Sequence, residues 1–100
     1  LERYADSGEI NTEVADSTAV LRGVAAAYEP RGASLDWTDG LTADLGKWWF
    51  NLRPSNTEPL LRLNVEAGDN VSLAAHLGEV QGLVRDLDAG AKGPEKGGDS

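Results

Sequence analysis

Cysteine and methionine are both absent from the 100 residues of this chain. Without cysteine there is no disulfide framework, no thiol nucleophile and no thiolate zinc site, so the fold must rest on packing and hydrogen bonds, and a reducing compartment suits it. No apolar run approaches the roughly 18 residues of a membrane span, and the N-terminal residues lack the basic and apolar regions of a signal peptide. We therefore expect a cytoplasmic protein with no membrane partner. Base is scarce as well: nine Lys and Arg against 17 Asp and Glu give a formal net charge of −8. Nucleic-acid binders need a basic footprint, so no nucleic-acid partner is expected and any anion site must be local. The start at Leu1, with no methionine anywhere, points to a fragment.

What remains is a globular composition. Apolar residues make up 40% of the chain and charged residues 26%, which suits one small domain with a single core. Residues 1–15 mix charges with Ser7 and Gly8, show no sustained period and read as a connecting segment. From Asp16 onward Val20, Leu21, Val24 and Tyr28 recur at helical spacing, and Asp16 or Ser17 can cap the first turn. Pro30 and Gly32 end that helix. Ser34 to Trp37 reads as a short strand, Asp39-Gly40 suits a type I′ hairpin turn, and Leu41 to Leu45 returns. Gly46-Lys47 makes a second turn into Trp48 to Arg53, a third strand rich in aromatic residues. In Leu60 to Ala67, residues Leu61, Leu63 and Val65 alternate with Arg62, Asn64 and Glu66, so one face of this fourth strand meets the core. Leu73, Leu77, Val80, Val84 and Leu87 step by three and four along a second helix, with Ser72 as its cap. The domain is thus expected over residues 1–88. Glycine at 90, 93, 97 and 98 with Pro94 predicts a flexible tail over 89–100. The fold class is α+β: a four-stranded, mainly antiparallel sheet with two helices on one face, since turns this short cannot carry parallel crossovers.

The loop Arg53-Pro54-Ser55-Asn56-Thr57-Glu58-Pro59 concentrates donors suited to an anion. Arg53 offers a planar fork that matches two phosphate oxygens, Ser55 and Thr57 offer hydroxyls, and Asn56 offers an amide NH₂. Prolines at both ends limit the loop's freedom and lower the entropic cost of ordering it around a ligand. Between Leu45 and Val65 three basic residues, Lys47, Arg53 and Arg62, stand against one acid, Glu58. That is a positive spot on a negative chain. The same residue types also form ordinary turns, so composition alone leaves phosphate binding and a plain connection both open.

The string Phe50-Asn51-Leu52-Arg53-Pro54-Ser55-Asn56-Thr57-Glu58-Pro59-Leu60-Leu61-Arg62-Leu63-Asn64-Val65-Glu66 resembles the C-terminal phosphate-binding loop of the α-phosphohexomutases. Ser7-Gly8-Glu9-Ile10-Asn11 resembles the segment leading into that domain. The Ser-Asn-Thr form is similar to the phosphomannomutase/phosphoglucomutase branch, where phosphoglucosamine mutases usually carry Ser-Gly-Thr. The resemblance spans about residues 7 to 87. It implies a fourth domain of TBP-like fold whose loop holds the non-reacting phosphate of a mannose or glucose 1- or 6-phosphate during 1,6-phosphoryl transfer. Arg53, Ser55, Asn56 and Thr57 are then the implied phosphate contacts, with Arg62 a weaker one. It also implies Mg2+ and a hexose 1,6-bisphosphate activator for a full-length enzyme, whose preceding domains carry the magnesium loop and are this domain's partners. The phosphoserine, aspartate-rich and sugar-reading loops of such enzymes have no counterpart here, so no catalytic residue, no metal ligand and no cofactor is assigned, and the domain alone is expected to be inactive. A stand-alone anion-binding module and the same domain of a phosphoglucosamine mutase are the alternatives.

Other polar residues read as structural. Glu58 could orient Arg53 or Arg62, or be a solvated acid of the loop. His76 borders the second helix's apolar stripe and suits packing better than catalysis. Trp48 and Trp49, adjacent on a strand, must point to opposite faces, and Trp37 suits packing more than a sugar platform. Asp36, Asp39 and Asp44 lack the spacing of a metal loop.

Overall fold

Alternation and register decide the centre of this domain. The computed structural model describes residues 5–91, in the order β1 (Ala5–Asp6), β2 (Ile10–Glu13), α1 (Ser17–Tyr28), a 3₁₀ turn (Glu29–Arg31), β3 (Ser34–Asp36), β4 (Leu41–Asp44), β5 (Trp48–Pro54), β6 (Leu60–Ala67) and α2 (Asn70–Ala91). β5 and β6 pair antiparallel with Phe50 opposite Val65 and Leu52 opposite Leu63, so their apolar sets fall on one face. β4 and β3 extend the sheet beyond β5, and every pairing among the described residues is antiparallel.

α1 and α2 cover that apolar face and pack on each other. Val20, Leu21, Val24 and Tyr28 of α1 and Val80 and Val84 of α2 are buried against Leu41, Ala43, Trp48, Phe50, Leu52, Leu61, Leu63 and Val65. Tyr28 and Phe50 meet edge to face at 5.1 Å between ring centroids, a geometry favoured by the ring quadrupoles. Close approach of the helices depends on Gly23, where a Cβ would stand 2.7 Å from Leu87 Cδ2. Asp16 caps α1 by accepting from the Ala19 amide at 3.1 Å.

His76 is a packing residue, stacked on Trp48 with ring centroids 3.9 Å apart and planes at 5°. Beside it the Tyr28 hydroxyl donates to Glu79 at 2.6 Å, and Arg31 pairs with the same carboxylate. Burial, and then that bond to Glu79, push the Tyr28 hydroxyl well above its ordinary pKa. Burial alone would raise Glu79, but the bonds from Tyr28, Arg31 and His76 outweigh it and hold the carboxyl below its usual value.

Four details differ from the pattern read in the sequence. Residues within 1–15 are not only a connection: β1 and β2 lie along the free edge of β6, so among the described residues the sheet has six strands where four were expected. Two-residue and four-residue edge strands interrupted by Ser7-Gly8-Glu9 are too short to show a period. The turn before β4 is not type I′, which needs positive φ at both central residues; Gly40 has φ 66° but Asp39 does not. Asp36 instead accepts from the Thr38 amide at 2.8 Å, and a five-residue connection joins the paired Asp36 and Thr42. Helix α2 is capped one turn earlier than expected, by Asp69 accepting from the Ser72 amide at 2.7 Å, and it runs on through residues 89–91. A single glycine such as Gly90 costs a helix about 1 kcal/mol and does not end it. The rest of the expected tail, from residue 92, lies outside the described residues.

Candidate functional site

The sheet face turned away from the helices is polar, and the candidate site sits at one end of it. Arg53 is the last residue but one of β5 and Arg62 the third of β6, and the ladder makes them direct Cα partners. Two like charges facing each other across a ladder destabilise it, so the pair needs a compensating anion. The connection between them is a folded turn. The Ser55 amide donates to Leu60 O at 3.0 Å, the Leu60 amide to Glu58 O at 2.8 Å around Pro59, and the Val14 amide to Pro59 O at 3.0 Å. Ser55 Oγ accepts from the amides of Thr57 and Glu58, each at 3.2 Å. Its own hydrogen remains for an acceptor outside the loop.

Arg53, Ser55, Asn56, Thr57 and Arg62, nominated separately from the sequence, line one open hollow of about 310 Å³ together with Pro54. The side chains of Asn56 and Thr57 make no hydrogen bond among the described residues and are exposed. A smaller hollow of about 100 Å³ adjoins it, sharing both arginines and bounded by Glu9, Trp49, Asn51 and Asn64.

Charges around the pair are not those expected. Lys47 sits in the turn at the far end of β5, about 20 Å away at roughly 3.3 Å per residue, and adds nothing to the site. The Glu58 carboxylate is exposed and forms no ion pair among the described residues, so it does not orient either arginine. Glu9 takes that place: its Oε2 accepts from Arg62 Nη1 at 2.5 Å and its Oε1 lies 3.9 Å from Arg53 Nη2. Asp39 Oδ2 lies 3.8 Å from Arg53 Nη1. Asn51, also on the open face, holds the β3–β4 turn there by donating to Asp39 O at 2.8 Å and to Thr42 Oγ1 at 3.0 Å. The positive spot is therefore an arginine pair balanced by two carboxylates. Glu9 lies 53 positions from Arg62 in the chain, and only its place in the Ser-Gly-Glu-Ile-Asn segment could have flagged it. Trp49 faces this polar side while Trp48 is buried, as their adjacency requires. Among the described residues no three acidic, histidine or cysteine side chains gather as a cation site would need.

A helix-backed antiparallel sheet carrying a donor-rich loop at one end of its open face defines a small α+β domain. Comparison with known proteins makes it specific. The family model described as "Phosphoglucomutase/phosphomannomutase, C-terminal domain" matches residues 9–86, and the chain belongs to that family. Among relatives, a protein of Xanthomonas campestris pv. campestris described as "Phosphohexose mutases" is 49% identical over 86 residues, covering 85% of this chain and 19% of the relative. A "Phosphomannomutase" of Methanocaldococcus jannaschii is 40% identical over 87 residues, covering 87% of this chain and 19% of that protein. The chain thus spans about a fifth of the length of these curated relatives. A solved phosphoglucomutase/phosphomannomutase family protein from Burkholderia thailandensis shares the fold with a TM-score of 0.67 at 21% identity, over 90% of this chain and 19% of that one.

Proposed function

We propose that this domain anchors the non-reacting phosphate of a hexose phosphate within a phosphohexose mutase. The observation that carries the reading is the opposed Arg53–Arg62 pair at the mouth of a loop whose Ser55 hydroxyl hydrogen, Asn56 amide and Thr57 hydroxyl are unspent. In this reading Arg53 gives the guanidinium fork, Ser55, Asn56 and Thr57 surround the remaining phosphate oxygens, and Arg62 supports from β6. Each charge-assisted bond contributes roughly 1.5–3 kcal/mol, so a few suffice to hold a phosphate without a metal.

A phosphate held at a distance from the reacting atoms can orient them, because binding energy there is converted into positioning. The substrate class is mannose or glucose 1- or 6-phosphate, and the partners are the other domains of a longer chain, in the cytoplasm. No described helix is long and apolar enough to cross a membrane. In this reading Mg2+ is held on those other domains, and a hexose 1,6-bisphosphate activator belongs to the full-length enzyme. The described residues offer no acidic cluster for the cation.

The test is an amide chemical-shift titration with mannose 1-phosphate, glucose 6-phosphate and inorganic phosphate, against neutral mannose. Shifts clustered at residues 53–57, with the phosphates only, are expected. A folded sample with no localised shift at any attainable phosphate concentration would refute the anchor.

A further inference from the structure

Glu9 reaches the arginine pair by an irregularity in the sheet. Asp6 faces Glu66 and Ile10 faces Leu63, so Ser7, Gly8 and Glu9 oppose only Asn64 and Val65. The Ser7 amide donates to Val65 O at 2.9 Å, which leaves Gly8 and Glu9 together against Asn64. This is a β-bulge, and Gly8 carries the positive φ of 70° that it needs. Its effect follows from parity. Asp6, opposite Glu66, is on the open face, and strict alternation from there would send Glu9 to the helix-covered face, into the core. The extra residue reverses the parity, returns Ile10 to the core side opposite Leu63, and sets Glu9 on the face of Arg53 and Arg62.

The carboxylate does not divide itself evenly. It is hydrogen-bonded to Arg62 at 2.5 Å, whereas its other oxygen is 3.9 Å from Arg53, beyond hydrogen-bond reach. Asp39 is 3.8 Å from Arg53, so Arg53 is attracted by two carboxylates and bonded to neither. We infer that Glu9 is a resident counter-ion of the site: it fastens Arg62, leaves the Arg53 guanidinium for an incoming phosphate, and weakens phosphate binding by its own charge. This rests on the anchoring role proposed above and assigns the two arginines different parts in it. Arg53 is the binding residue, and Glu9 is a positioning residue acting through Arg62.

The experiment follows guanidinium and amide signals during titration with inorganic phosphate, for the wild type and for Glu9→Gln. In the wild type the Arg53 guanidinium signals should move and those of Arg62 should not. In Glu9→Gln both should move, and the dissociation constant should fall about threefold at low ionic strength, as expected for removing one like charge a few ångströms away in a solvent-like dielectric, with the gain shrinking as salt is added. Equal movement of both arginines in the wild type would overturn the inference without the variant being needed. So would a Glu9→Gln protein that binds phosphate as weakly as the wild type or more weakly. Phosphate-induced shifts in neither protein would overturn the anchoring role itself, and the counter-ion with it.

Discussion

Gly40→Ala should damage the fold and the candidate site together, because Gly40 touches the residue that carries the site. Its φ is 66°, where an L side chain is strained, and a Cβ there would lie 2.5 Å from Arg53 Cβ and 2.6 Å from the backbone oxygen of Leu52. The left-handed conformation alone costs about 1–2 kcal/mol for alanine. Steric overlap with a strand that cannot move freely adds about 1–3 kcal/mol. The total is about 2–5 kcal/mol, a large part of the roughly 5–15 kcal/mol that holds a domain folded, and corresponds to a melting temperature lower by some tens of degrees at most. Gly32→Ala supplies the control: its φ is 90°, but nothing lies within 4 Å of the added carbon, so only the conformational cost applies. Urea unfolding of both variants separates the two contributions. If Gly40→Ala falls within about 0.5 kcal/mol of Gly32→Ala, comparable to an ordinary surface substitution, then the turn does not bear on β5 as described. At temperatures where Gly40→Ala stays folded, its phosphate-dependent shifts at Arg53 should still be reduced.

Arg53→Gln should leave the urea midpoint nearly unchanged, since its carboxylate neighbours are at long range and exposed, yet weaken phosphate binding by at least about tenfold, the loss of one or more charge-assisted bonds; wild-type affinity in that variant would remove Arg53 from the site. Phe50→Ala empties a fully buried position against Tyr28 and should cost about 3–5 kcal/mol, measured by the same unfolding curve. Glu79 has its folded pKa depressed, so its contribution to stability is complete above the carboxylate's unfolded value and is lost as pH falls through the folded one. Glu79→Gln should therefore flatten the acid limb of a stability–pH profile below about pH 4.5, near the ordinary Glu value, and an unchanged limb would place that linkage elsewhere.

Local pattern made much of the domain readable before any coordinates. Leu61, Leu63 and Val65 with Arg62, Asn64 and Glu66 carry period two, and Val80, Val84 and Leu87 carry the helical period, because strand and helix geometry impose those spacings on any half-buried segment. Arg53, Ser55, Asn56 and Thr57 stand out for the same local reason: donors crowded within five residues around Pro54. What pattern could not supply is register between distant segments. Two- and four-residue edge strands have too few positions to show a period, and their pairing with β6 joins residues far apart in the chain, from Glu13 with Leu60 to Ala5 with Ala67.

The consequences concentrate at the site. Sequence by itself determined which residues could bind an anion, since donor chemistry belongs to each side chain wherever it lies. Only the tertiary structure decided that Arg53 stands opposite Arg62, that Lys47 is a strand's length away, and that Glu58 faces solvent while Glu9 and Asp39 supply the carboxylates. The reason is that Coulomb interaction and hydrogen bonding depend on distance in space. Here that distance is set by a one-residue bulge at Gly8 and by the ladder between β5 and β6, neither of which leaves a mark in the local pattern of the residues it brings together.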